Sequence, residues 1–131
     1  MSVTDSDPRL MPAPVRIAEP LFSAFVRSHH CGESQRWHAR ASLPVLALFV
    51  AMEAEFDEDG LSWGSLSPDA LMSTALDADH DELGFLIDLL DVSSAFYAFL
   101  GDVGVVPFAT ADRIHARLAT LALGLSAPLA A

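Results

Sequence analysis

Apolar residues recur along this chain at three- and four-residue intervals, the period of a helix face, and nowhere alternate over a useful length. Residues 1–16, with Asp7-Pro8 and Met11-Pro12-Ala13-Pro14, show no period and read as a loose N-terminal arm. Glu19-Pro20 sets a proline in the tolerant first turn of a helix that carries Leu21, Phe22, Phe25 and Val26 and ends near Arg27. His29-His30-Cys31-Gly32 interrupts it, and a second helical stretch begins near Glu33 or Ser34. Pro44 predicts a kink or break there, because an interior proline removes a hydrogen bond and crowds the preceding turn; Ser42 then serves as the N-cap of a restarted helix. Val45, Leu46, Leu48, Phe49 and Met52 form its expected buried face.

The clearest helix start is Ser67-Pro68-Asp69: serine as N-cap, proline at the first position and an aspartate at the positive helix end. That helix runs to about Leu76, and Asp77–Asp81 form the next loop. A fourth helix, from about Glu82 to Leu100, carries Leu83, Leu86, Ile87, Leu90, Phe96, Phe99 and Leu100, with Gly101 as its stop. The last takes Thr110 as N-cap, Ile114, Leu118 and Leu121 as its apolar face, and Gly124 as its stop. The expected fold is all-α, a compact orthogonal bundle of about five short helices in a single domain over residues 17–125, with a tail at 126–131.

Composition agrees with a packed domain. At 131 residues, 52% hydrophobic and 19% charged, the chain can bury roughly two thirds of its unfolded surface without metals or disulfides. A single cysteine, Cys31, excludes an internal disulfide and fits a reducing cytoplasm. The polar, acidic beginning is unlike a signal peptide, and the longest apolar runs, 43–52 and 118–125, fall short of the about 20 residues of a bilayer crossing. The expectation is a soluble, cytoplasmic protein without a membrane partner.

Charge is the most uneven property. The net charge is -11; all seven basic residues are arginines, and none lies between Ala41 and Asp112, a block holding fourteen of the eighteen acids. Such a field repels nucleic acid and anionic membrane at long range. Within it, Glu55, Asp57 and Asp59 alternate before Gly60 like the first half of a calcium-binding EF-hand loop, but the twelfth position is Leu66 where a bidentate glutamate is needed. These residues, with Asp79 and Asp81, form a candidate acidic partner-binding face, and turn or capping chemistry also accounts for them. His29, His30, Cys31 and His38 cluster softer ligands at a spacing that matches no common zinc pattern, so neither metal nor cofactor is expected. Serines and histidines are plentiful, but none sits in a nucleophile elbow or phosphate loop, and Tyr97 reads as a core residue whose hydroxyl reaches the edge. No catalytic residue is assigned. The candidate basic face is Arg27, Arg36, Trp37 and Arg40, with Arg36 and Arg40 one helical turn apart. Arg113 and Arg117 repeat that spacing.

Leu21–Val26, Leu46–Phe49, Leu61–Leu71 and Ser94–Pro107, in this order, resemble the helical N-terminal core-binding (SAM-like) domain of tyrosine recombinases and integrases. The resemblance spans most of residues 20–125 and implies a helical DNA-contacting fold; the family's catalytic domain is missing, so it implies no recombinase activity. Taken together, the residues point to a non-enzymatic helical binding module. It is expected to be an accessory or remnant domain of a mobile-element protein, using the arginine face on DNA or on a protein, with protein favoured by the charge. The alternative is an acidic inhibitor of the anti-defence, immunity or DNA-mimic type whose carboxylates occupy a basic groove of the target.

Overall fold

The computed structural model describes residues 12–54, 60–78 and 83–126. They form five α-helices, α1 (Ala13–Val26), α2 (Glu33–Glu53), α3 (Pro68–Ala78), α4 (Leu83–Asp102) and α5 (Phe108–Ser126), and a 3-10 turn at Trp63–Ser65. No strand occurs among the described residues, so the all-α bundle is as expected. Helix α4 lies at its centre, packed on α2 and α5, with α3 across α4 and α5 and α1 against α2.

Both interior prolines sit in continuous helix. α1 starts at Ala13, inside the stretch read as a loose arm, and passes through Pro20. α2 runs unbroken through Pro44. Each proline forfeits one helical hydrogen bond, but burial on both sides of it holds the helix: Ala18 and Phe22 flank Pro20, and Leu43 and Leu46 flank Pro44. Ser42 is therefore no N-cap; it is buried inside α2 with its hydroxyl unpartnered. The real start of α2 is Gly32, whose N–H donates to Gln35 Oε1 at 2.8 Å.

Two glycines read as stops lie inside helices instead. α4 continues past Gly101, where an added Cβ would stand 2.8 Å from the Cβ of Ala111 on α5. Gly101 is thus a point of close approach between the two helices. The stop is three residues on, at Gly104, with φ +82°. There the Val105 N–H reaches back to the Leu100 carbonyl at 3.0 Å, the six-to-one bond of a Schellman turn. α5 begins at Phe108, ahead of Thr110, and runs through Gly124. The Ser67 cap is as expected: its Oγ accepts from the Ala70 N–H at 3.3 Å.

The core is aromatic at its middle. Phe96 of α4 meets Phe22 and Phe25 of α1 at ring-centroid distances of 5.6 and 5.4 Å, and Trp63 at 5.1 Å, all edge-to-face. Tyr97 beside it has no exposed surface, so its hydroxyl does not reach the edge; it donates to the Trp63 carbonyl at 2.6 Å. Burial, reinforced by the charge of Glu53, pushes the phenol well above its usual range. The stretch Gly84–Asp102 is long and apolar enough to cross a bilayer by length and composition, although no uninterrupted apolar string in it is that long; 56% of the span is buried inside the bundle.

Two substitutions test this packing by urea denaturation. Tyr97→Phe removes one buried hydrogen bond and leaves the Trp63 carbonyl only the Leu66 N–H, at 3.3 Å, so a cost of about 1 kcal/mol is expected. Gly101→Ala gains about 1 kcal/mol of helix propensity. It must also part α4 from α5, at about 1–3 kcal/mol, so net destabilisation is expected; a stabilised variant would contradict the close approach.

Candidate partner-binding face on α2

Helix α2 presents three differently used faces. One is tied to α4 by polar contacts, Gln35 Nε2 to Asp91 Oδ2 at 3.3 Å and His38 Nδ1 to Asp88 Oδ2 at 3.2 Å, above the buried Ala39, Leu43, Leu46 and Val50. With that face turned inward, three of the five residues of the expected buried face point outward. Leu46 and Phe49 are buried, whereas Val45 and Leu48 are 37% exposed and Met52 is 78% exposed. The run from Leu43 to Met52 is apolar all round, so its composition alone sets no phase. Trp37, Ala41, Val45, Leu48 and Met52, spaced by three or four residues, line the second, outward face. Trp37 stands at its N-terminal end with 83% of its surface exposed.

The third face borders α1. Between the two helices lies a groove of about 720 Å³ floored by Val15, Phe22, Val26, Leu43 and Pro44. Arg27, Arg36 and Arg40 line it, with Glu19 as the acid among them. A shallower hollow of about 320 Å³ continues over Glu33, Arg36, Trp37 and Arg40. The four residues of the candidate basic face are thus brought together, although Arg27 comes from a different helix end. Arg36 is also part of the fold's own bonding. Its Nε donates to the Val26 carbonyl at 3.1 Å, placing a cation at the negative end of α1.

Other candidates are dispersed. Glu55, Asp57, Asp59, Asp79 and Asp81 lie outside the described residues. The histidine–cysteine set divides. Cys31 turns into the core, where burial raises its thiol pKa against the lowering effect of Arg36, and His38 faces Asp88. Arg113 and Arg117 do not act as a pair, because Arg117 makes a two-pronged bridge to Asp69 of α3, at 3.1 and 2.5 Å. Local sequence marks Asp69 only as a helix-start residue.

Ser94 and His115 are a contact between helices that spacing along the chain could not show. Ser94 Oγ donates to the His115 carbonyl at 3.1 Å, and His115 Nδ1 donates to the Ser94 carbonyl at 2.7 Å. Ser94 Oγ also lies 2.9 Å from that Nδ1. The tautomer that satisfies these contacts carries its proton on Nδ1, so this nitrogen has no lone pair with which to take the serine proton. The pair works as a clamp between α4 and α5.

No family model, no curated protein and no solved structure matches this chain.

The Asp69–Arg117 bridge has a pH signature. Hydrogen bonds from Arg117 are the main cause that holds the Asp69 carboxyl below its usual range; they outweigh desolvation, and the Arg117 charge adds to them. A depressed folded-state value stabilises above the unfolded value of about 3.9 and is lost as pH falls through the folded one. The melting temperature of Asp69→Asn is therefore expected below that of the parent at pH 7, with the gap closing as pH falls below about 4. A gap independent of pH would remove the bridge as its cause.

Proposed function

We propose that this protein is a non-enzymatic helical binding module that engages a protein partner through α2 and the α1–α2 groove. The observation that carries this reading is the combination on one helix of an outward apolar stripe, Trp37 to Met52, with an apolar groove lined by Arg27, Arg36 and Arg40. The complementary ligand is an amphipathic helix with apolar residues three and four apart and carboxylates along its flanks. Aromatic and arginine side chains are those that dominate protein interfaces, and Trp37 has the largest exposed apolar surface of the set.

Nucleic acid suits this face less well. A phosphate backbone has no use for the apolar floor of the groove, and Arg36 is already engaged at the end of α1. The acidic block would oppose its approach. That block is also less available as a mimic of DNA than its formal charge implies, since Asp69, Asp88, Asp91 and Asp102 each face a partner within the chain. That the module is an accessory or remnant domain of a mobile-element protein rests on the resemblance at Leu21–Val26, Leu46–Phe49, Leu61–Leu71 and Ser94–Pro107 alone.

Tryptophan fluorescence tests the reading, because Trp63 is buried and Trp37 exposed. Titration with designed acidic amphipathic helical peptides is expected to shift the Trp37 emission to the blue, a response absent from Trp37→Phe. Arg36→Ala with Arg40→Ala is expected to weaken peptide binding at least about tenfold, and duplex DNA to give no shift even at low salt. Salt-dependent DNA binding, with no response to any peptide, would replace the protein partner by nucleic acid.

A further inference from the structure

Three ligand-type side chains meet where α1 and α4 both end. His29 and His30 lie in the turn after α1, and Asp102 is the last residue of α4. One ligand atom from each falls within 4.8 Å of the other two. His30 Nε2 is 3.2 Å from Asp102 Oδ2, and the two imidazole rings stand 4.2 Å apart, inclined by 34°. Around tetrahedral Zn²⁺, with bonds of about 2.0–2.2 Å, neighbouring ligand atoms are about 3.3 Å apart. The His30–Asp102 edge already has that length. The exposed side chains of His29 and Asp102 can close the remainder by small rotations.

His30 is held ready for such a role. Its N–H donates to Ser28 Oγ at 3.2 Å, Ser28 Oγ donates to the Phe25 carbonyl at 2.7 Å, and its ring packs edge-on against Phe99. The carbonyl end of α4 has no basic residue in its last turn, so its negative pole favours a cation beside Asp102.

We propose that His29, His30 and Asp102 bind a Zn²⁺ ion, with a fourth position open to solvent. Two imidazoles and one carboxylate suit zinc-class ions, whereas calcium and magnesium ask for an all-oxygen set. The ion would fasten the α1–α2 turn to the end of α4, which the chain separates by 72 residues.

Cobalt substitution on the full chain tests the site. One equivalent of Co²⁺ is expected to give visible d–d bands that stoichiometric Zn²⁺ bleaches. Saturating Zn²⁺ is expected to raise the melting temperature by about 5 °C or more. His29→Ala and Asp102→Asn are each expected to weaken the metal at least about tenfold, while His38→Ala leaves it unchanged. His29→Ala keeps the His30–Asp102 contact, so circular dichroism of that variant separates lost ligation from lost fold. Absence of both the bands and the thermal shift overturns the proposal, as does tight binding that survives His29→Ala and Asp102→Asn.

Discussion

Phe96 is the contact on which the arrangement of the other elements depends. It is fully buried on α4, and its ring meets Phe22 and Phe25 of α1 and Trp63 of the 3-10 turn. The Trp63 carbonyl then takes the hydroxyl of Tyr97, so ring and backbone of that turn are fixed at once. A fixed turn sets Ser67, whose cap starts α3, and that start places Asp69 within reach of Arg117 on α5. On the other side, the same cluster seats α1 beside α2 and so forms the groove. The aromatic centre positions the candidate binding face and shares Phe22 with the floor of the groove.

Helix identity was legible wherever one face alone is apolar or a cap is local. Ile114, Leu118 and Leu121 are buried as their spacing predicts, and Ser67-Pro68-Asp69 starts α3. Boundaries failed where tertiary packing overrode local chemistry. Pro20 and Pro44 lie within helices because the burial on either side outweighs one lost hydrogen bond. Gly101 and Gly124 lie within helices too; at Gly101 the missing side chain serves contact with α5, a relation that no local pattern encodes. Gly104 needs a left-handed backbone, and nothing but structure distinguishes it from the other glycines.

The candidate face was half legible. Arg36, Trp37 and Arg40 are close in sequence and helical, so their proximity followed from the period, and Arg27 joins them through the packing of α1 on α2. The outward stripe was not legible, because residues 43–52 are apolar on every side and only packing against the other helices decides which of them are buried. Long-range partners were out of reach in principle. Arg117 with Asp69, Ser94 with His115, and His30 with Asp102 join residues whose separation along the chain carries no signal. Asp102 in particular converts a histidine pair with no recognisable spacing into a set of three.

The turn between α1 and α2 is held from two directions. Arg36 grips the last carbonyl of α1 from the groove side, and His30 reaches Asp102 from the other. Order in those few residues is therefore a quantity that both places share. If both proposed sites bind, a ligand that stiffens the turn from one side would remove part of the ordering cost for a ligand on the other, by the same factor in either direction. The turn thereby joins the groove on one side to the histidine–aspartate cluster on the other.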